Sequence, residues 1–582
     1  MDQDELSKNS WAQWKYLFRL VREMKIPWYL FTLSVVMDAL SATMFVKLPV
    51  MLGAIMKGAI FSKGPITHYA MLSSAQVGFG FLTMFVFNWV SVKANVASGV
   101  GIWNRIIQLP MRALMREKPS TLISRVTSDS DGVGLALSGM FNCLSVIYTL
   151  VVVYVEMFKI NTTISLMLLI IPVWMLISMK IIGTMSYRAQ RKIQDTLSAF
   201  TAYLSIRLPN MRQIKAFGTE EKERKMGGER VETQYGAEIT MVKVSAVATA
   251  LQNMSTTLCN LIVLAFGSYM TASGKLTVGD LVTYFLFISQ GSFTNPAQNL
   301  LLYYQNMKVG LGVCSKVMEL MDEEPELVTR EKSFTVPEAD IHFENVSFGY
   351  GDKQVLENVT FTIPSKKTTA IIGTNGSGKT TVLKLLERFF APDSGKITYG
   401  EEDIERYHLN EWRESIGYVV QNSPMLQGTI EQNITYGMDD PDEESAVQAA
   451  KEVDAYPFIS KMPEGFHSDV GELGCKLSGG QRQKLAIARA LIGHPEMVLL
   501  DEATCGLDAC SEQEIRRTLR HTLKGKTVVM VAHSPVAVRH ADNIIVLRDG
   551  RLADMGTHES LLKSSDFYRK FCAAGEENCV CG

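Results

Sequence analysis

The stretch TTAIIGTNGSGKTTVLKLLERFF, Thr368–Phe390, decides what the second half of this chain is. Its opening TTAIIG is continuously apolar or β-branched, as in a strand buried on both faces of a parallel sheet. Its closing TTVLKLLERFF holds helix formers and neither Gly nor Pro. Between them Gly373, Gly378, Lys379 and Thr380 fit the spacing G-x-x-x-x-G-K-[ST]. A strand before and a helix after are the context in which that spacing makes a phosphate loop. The glycines let backbone N–H groups curl around an anion, and the helix N-terminus adds partial positive charge. Thr374, Asn375, Gly376, Ser377, Gly378 and Thr381 are expected to bind phosphate. Lys379 is expected to reach the β- and γ-phosphates, and Thr380 to hold Mg²⁺.

The chemistry continues downstream. MVLLDE, Met497–Glu502, is an apolar strand that ends in two carboxylates. Asp501 is placed to hold Mg²⁺ through water, and Glu502 to polarise an attacking water. Such hydrolysis needs positioning more than covalent chemistry. VVMVAHS, Val528–Ser534, is a further apolar strand, and its His533 is expected to contact the γ-phosphate. KLSGGQRQK, Lys476–Lys484, reads as a second phosphate grip at a helix start. From about Ile341, β-rich runs alternate with helical ones, which predicts an α/β fold with a parallel core sheet.

The first half has another character. Six apolar stretches, Ile26–Leu52, Tyr69–Val92, Val133–Phe158, Thr162–Met185, Ser245–Ala272 and Leu281–Tyr304, precede a sharp fall in hydropathy near residue 325. Each reaches the roughly twenty residues that a bilayer core needs. Lys8, Lys15, Arg19, Arg22 and Lys25 precede the first stretch, and the long connections 93–132 and 186–244 are rich in basic residues. The positive-inside rule places all of these in the cytoplasm. Trp11, Trp14, Phe18 and Val21 fall on one helical face opposite the basic residues, which predicts a helix lying in the headgroup layer. Turns near Lys118–Ser124 and Ser205–Met211 are placed to touch a soluble domain.

Asp38 and Lys47 lie in the first apolar stretch and Lys180 in the fourth, and Asp38 reads as functional, as one of an interhelical pair or as a residue near the interface. Gln252, Asn253, Asn260 and Gln290 are further amides there. Asn295, Gln298 and Asn299 share one face and read as lining a polar cavity, with interhelical hydrogen bonding as the other use.

Composition agrees with a membrane half joined to a soluble half. The chain has 582 residues, 47% of them hydrophobic. A net charge of −2 leaves no basic excess for a nucleic-acid backbone. The nine cysteines show no disulfide framework, and those near the nucleotide motifs suit a reducing compartment. Cys579 and Cys581 in the CVCG tail read as a frayed terminus rather than a metal-binding pair. No cleavable signal peptide is expected.

In order, the phosphate loop, Gln421, Leu477–Gln481, Asp501–Glu502, Asp508 and His533 resemble the nucleotide-binding domain of an ATP-binding cassette (ABC) transporter. The apolar stretches with two long cytoplasmic connections resemble the exporter-type membrane domain of the same superfamily. The resemblance implies a six-helix transmembrane domain followed by an α/β P-loop ATPase domain. It implies limits of 1–25 for an interfacial elbow helix, 26–325 for the membrane domain, 326–340 for a linker, 341–572 for the ATPase domain and 573–582 for a tail.

The resemblance also implies that two ATPase domains dock head to tail, so that each ATP lies between the phosphate loop of one and Ser478, Gly479, Gly480 and Gln481 of the other. Tyr350 would stack on adenine, and Gln421 would sense Mg²⁺, help position the reaction and touch the membrane domain. Glu472 would link the ATP site to the cytoplasmic loops, and Asp508 would communicate between the two sites. Departures from the family pattern are Cys505-Gly506 for Ser-Ala, Ser365 for a glycine and Met425-Leu426 for Leu-Phe. None removes a group that hydrolysis needs.

The function implied is ATP-driven export by a half-transporter paired with a second chain, in a homodimer or a heterodimer. The setting is the cell (cytoplasmic or inner) membrane, and the substrate is an amphipathic small molecule, lipid or peptide. The alternative is an importer of a metal chelate such as a siderophore.

Overall fold

The computed structural model describes residues 10–58, 63–117, 119–289, 294–326, 332–334, 338–421, 423–503 and 509–580. Contacts divide the chain into two units. Met1–Ile107 with Glu117–Glu323 forms the first, and Gln108–Arg116 with Glu324–Gly582 the second.

The first unit is helical. Among the described residues four helices, Trp28–Met56, Gly64–Ile107, Thr121–Ile160 and Glu220–Ala272, are long and apolar enough to cross a membrane by length and composition. The fourth apolar stretch of the sequence is shared between helices Thr162–Leu168 and Ile170–Arg207. The sixth runs through Val278–Ser289 and Thr294–Asp322, whose connection lies outside the described residues. The break at Asn161 has a local cause, because its side chain caps the next helix by accepting from the N–H groups of Thr163 and Ile164. The Tyr284 hydroxyl lies 2.7 Å from the carbonyl of Met157 and 2.8 Å from Ser165 Oγ, so it satisfies a helix-end acceptor. Helices Ser130–Ile160 and Thr294–Asp322 approach at backbone distance. A Cβ on Gly310 would lie 2.5 Å from the Gly132 carbonyl oxygen, and such small-residue seams let membrane helices pack closely.

The N-terminal helix forms as Ser10–Glu23; Leu17, Leu20 and Val21 are packed, and Phe18 is exposed. One sequence expectation changes here. The first cytoplasmic turn comes earlier than Lys118–Ser124, which is itself largely a helix, Pro119–Ser124. Pro110 lacks an N–H and disfavours helix at Leu109, so the long helix stops at Ile107. A short helix, Met111–Arg116, follows and belongs to the second unit. The second turn lies within Ser205–Met211 as expected, at residues 208–210 between helices Ile170–Arg207 and Met211–Ala216.

Of the polar residues, Asp38 accepts a hydrogen bond from Ser145 Oγ, Lys47 and Asn299 are exposed, and Asn260 Oδ1 is buried with no partner among the described residues. The side chains of Lys180, Gln252, Gln290, Asn295 and Gln298 lie outside the described set.

The second unit holds two sheets. Strands β1 (Ile341–Tyr350), β2 (Lys353–Ile363), β4 (Ser394–Tyr399) and β5 (Glu402–Asp403) form an antiparallel sheet in the order β2-β1-β4-β5. Strands β3 (Thr368–Gly373), β6 (Ile416–Val419), β7 (Met497–Asp501), β8 (Thr527–Val531), β9 (Asn543–Arg548) and β10 (Arg551–Gly556) form the second, in the order β10-β9-β3-β8-β7-β6. Its β9-β3-β8-β7-β6 run is parallel, as TTAIIG and MVLLD predict, and β10 closes one edge antiparallel.

Trp412 is fully buried between the sheets and the phosphate-loop helix. Its Nε1–H donates to the Leu386 carbonyl at 2.8 Å, and its ring stacks on Tyr407. Phe334 packs edge-on against Tyr399, Tyr407 and Trp412 at 5.0–5.5 Å, which fixes the described end of the connecting segment. Trp412→Ala removes this ring and orphans a carbonyl, so the second unit is expected to lose about 3–5 kcal/mol. Thermal unfolding of the purified chain checks this.

Candidate active site

The parallel register explains why the proposed catalytic residues meet. Val419 of β6 pairs with Leu500 of β7, and Leu500 pairs with Met530 of β8. Gln421, Glu502 and His533 therefore leave the same carboxyl-terminal edge of three adjacent strands, the edge at which open α/β sheets bind ligands. There Gln421 Nε2 donates to Glu502 Oε2 at 2.6 Å, and His533 Nε2 lies 2.6 Å from Glu502 Oε1. Both carboxylate oxygens are engaged. Glu502 holds a left-handed backbone, φ 52°, a conformation costly for a non-glycine residue and concentrated at functional sites.

The phosphate loop leaves β3 at the same edge. Gly378 sits at φ 96°, where a Cβ would lie 2.5 Å from Leu356 Cδ2, so only glycine fits. Helix Lys379–Leu386 starts next. Lys379 Nζ folds back to donate to the carbonyls of Gly373 at 3.1 Å and Thr374 at 3.0 Å. Burial pulls the pKa of its ammonium below the usual value, against the opposing pull of Glu502 and Asp501. Ser377 Oγ is buried with no partner among the described residues. An anion in the loop would give Ser377 an acceptor and Lys379 a charge partner, which is the fit expected of a nucleotide phosphate.

Thr380 Oγ1 donates to Asp501 Oδ1 at 3.1 Å, so the two proposed Mg²⁺ ligands already touch. Burial pushes the Asp501 carboxyl above its usual value, while the Thr380 hydrogen bond opposes it. One hydroxyl and one carboxylate are the hard, sparse donor set that suits Mg²⁺, which keeps waters and phosphate oxygens as its other ligands.

Tyr350 ends β1 half-buried, edge-on to Phe348 and Phe390, with Lys384 Nζ 5.6 Å from its ring centre. Those neighbours fix the orientation of the ring. Ser478 opens helix Gly479–Leu491 through a capping box. Its Oγ accepts from the Gln481 N–H, and its own N–H donates to Gln481 Oε1. Ser478 and Gly479 are exposed, and the hydrogen bonds described for the Ser478 side chain and N–H stay within its own helix start. Glu472 is exposed in the turn Glu472–Gly474. Asp508, with Cys505 and Gly506, lies outside the described residues.

Sequence reasoning missed the parts that hold these groups in place. Arg489 anchors the signature helix to the segment after Gln421, donating to Asn433 Oδ1 at 2.6 Å and to the Pro424 carbonyl at 2.9 Å. Gln483, on the same helix, accepts from the buried Ser423 hydroxyl. Met111 packs on the core of the second unit, and Arg112 pairs with Asp393 at 3.3 Å beside β1. The signal for that contact was Pro110, which ends the preceding helix.

Glu387, just past the phosphate-loop helix, is also unforeseen. Burial pushes its carboxyl from 4.5 up to about 8, although Arg413 favours the charged form. Because the folded state holds this proton more tightly than the unfolded state, stability falls as pH rises from about 4.5 to about 8. Glu387→Gln is therefore expected to raise the melting temperature by roughly 4 °C or more at about pH 8.5 and to change it little near pH 5. Differential scanning fluorimetry at the two pH values checks this.

Nucleotide-fitting groups at a parallel-sheet edge, joined in one chain to apolar membrane-length helices, define an ATP-driven membrane transporter. Residues 28–294 match the family described as ABC transporter transmembrane region, and residues 356–505 match ABC transporter. The Bacillus subtilis (strain 168) protein named Uncharacterized ABC transporter ATP-binding protein YfiC is 30% identical over 479 residues, covering 80% of this chain and 78% of its own length. A Lactococcus lactis subsp. lactis (strain IL1403) protein named Multidrug resistance ABC transporter ATP-binding and permease protein is 29% identical over 567 residues, covering 96% of this chain and 95% of its own. A solved structure described as a bacterial Atm1-family ABC exporter with ATP bound aligns with a TM-score of 0.81 and 26% identity, over 93% of this chain and 98% of that one. The chain belongs to the ABC transporter family, as an exporter-type half-transporter with one membrane domain and one ATP-hydrolysing domain.

Proposed function

We propose that this chain is one half of a dimeric pump that uses ATP to export an amphipathic small molecule, lipid or peptide. The observation that carries the reading is the exposed signature start. Ser478 and Gly479 face outward, and their helix N-terminus suits an anion. The Lys379–Asp501–Glu502–His533 site lacks such a cap from its own described residues. A second chain, identical or different, supplies it in a two-fold arrangement.

In this reading Thr374, Asn375, Gly376, Ser377, Gly378, Lys379 and Thr381 cradle the phosphates, and Tyr350 stacks on adenine. Thr380, Asp501 and Gln421 hold Mg²⁺, which when bound neutralises charge on the phosphates. Glu502 takes a proton from the attacking water at the oxygen it now shares with His533. Freed from Glu502, His533 Nε2 contacts the γ-phosphate. Gly480 and Gln481 complete the partner's cap, and Asp508 links the two sites.

Six spans with the N-terminus and the ATPase domain in the cytoplasm follow from the charge distribution, and the domain limits are those given above. ATP favours the closed pair only by its greater affinity for that state, and the membrane domain follows by alternating access. The multidrug name of the Lactococcus relative and the exporter description of the structural neighbour support outward movement of amphipathic substrates.

Inside-out vesicles carrying the chain test the reading. ATP-dependent uptake of a fluorescent amphiphile, absent in the Lys379→Ala variant, is the expected result. ATP-dependent release of preloaded compound would instead identify an importer.

A further inference from the structure

A cavity of about 490 Å³ lies inside the second unit, along β8. It is within the size range of small-molecule sites. It opens between two apolar clusters. Leu519, Leu523 and Val528 belong to one, Ala532 and Ala541 to the other, and Met530 packs against both. Val528, Met530 and Val531 of β8 give it an apolar wall. The described lining residues include Glu502 and His533 at one end and Lys366 and Lys526 at the other, and none from the phosphate loop.

The polar lining has a sign. Glu502 is engaged by Gln421 and His533, Glu512 by Arg516, and Asp542 accepts from the Thr368 N–H at 2.9 Å. Lys366 is paired with Glu338, and Lys526 Nζ donates to the Pro495 carbonyl. Arg520 and Lys524 line the cavity with no acidic partner among the described residues. Arg516 Nε is buried there with no hydrogen-bond acceptor among the described residues. The positive field reaches His540, whose pKa is held below the usual value by burial and then by Arg520.

An apolar cleft with two cations and a guanidinium N–H that have no acidic or acceptor partner among the described residues suits an amphipathic organic anion. We infer that this cavity is a regulatory site for such an anion. Its apolar body lies against Leu519, Leu523 and Met530, its acid group is held by Arg516, Arg520 and Lys524, and its occupancy slows ATP hydrolysis. The occupant shares its cavity with Glu502 and His533, and packing against them holds together the pair that hydrolysis must open.

The probe is dansylglycine, an aromatic carboxylate that brightens in apolar surroundings, with neutral dansylamide as control. The full chain in lipid nanodiscs is titrated against empty nanodiscs, and ATP turnover is measured in parallel. Saturable dansylglycine binding is expected, with dansylamide at least tenfold weaker and turnover reduced at least threefold at saturation. The double variant Arg520→Glu, Lys524→Glu, which alters two exposed side chains, should keep basal turnover and bind dansylglycine at least tenfold more weakly. Binding no greater than to empty nanodiscs, equal affinity in the double variant, or equal affinity for dansylamide would overturn the site. Binding with unchanged turnover would overturn its regulatory role.

Discussion

Glu502→Gln is expected to cut ATP turnover by a factor of about 10²–10⁴, the usual contribution of a positioned general base, while ATP still binds. The substitution keeps the size of the side chain and removes only its basicity. Glu502 Oε2 accepts from Gln421 Nε2, and Oε1 pairs with His533 Nε2. A glutamine can serve only one of these donors with its oxygen, and its amide would face the other donor. The change therefore also loosens the cluster, but the groups proposed to grip the nucleotide are elsewhere. Lys379, Ser377 and Thr380 are untouched, so nucleotide affinity should stay within a few-fold. Single-turnover hydrolysis measured beside equilibrium binding of labelled ATP separates the two quantities. Wild-type turnover in the glutamine variant would remove Glu502 from its proposed role.

Gly479→Asp should be as damaging, for a different reason. It places a carboxylate at the first residue of helix Gly479–Leu491, where negative charge stabilises a helix by about 0.3–1 kcal/mol. The domain should therefore stay folded while the anion site of the signature is filled by a fixed anion. In preparations of this chain alone, turnover is expected to fall at least a hundredfold, by repulsion of a γ-phosphate across the interface. Mixing then gives a sharp readout. Lys379→Ala spoils a phosphate loop, Gly479→Asp spoils a signature, and each variant alone is inactive. A mixed dimer with composite sites has one site bearing both lesions and one with neither, so activity returns. If each chain completed its own site, no mixture would recover, and the two-chain reading would fall.

The legibility of the molecule followed the range of the interactions. The phosphate loop could be read because its parts are contiguous. Gly378 must be glycine for a contact with Leu356 that the sequence does not reveal, yet the spacing of Gly373, Gly378 and Lys379 marks the loop without it. The parallel strands were legible in the same way, from continuous apolar runs. The N-terminal helix was legible as a helix, but the stripe that it packs against its neighbours was not. Aromatic and leucine stripes both had helical spacing, and only the neighbouring helices decided that Leu17 and Leu20 go inward. The first cytoplasmic turn was placed too late because the break at Pro110 was given less weight than the polar composition after it.

By itself, the sequence determined that the chain has an apolar helical half and a nucleotide-binding half, and it named the residues proposed to carry the chemistry. Those properties rest on hydropathy and on hydrogen bonding between near neighbours along the chain. Only the tertiary structure decided that Gln421, Glu502 and His533 close on one another and that Phe334 locks onto Trp412. It alone placed Arg520 and Lys524 beside an apolar cavity. These outcomes depend on strand register and on how volumes fill between elements far apart in the chain, which no local spacing encodes.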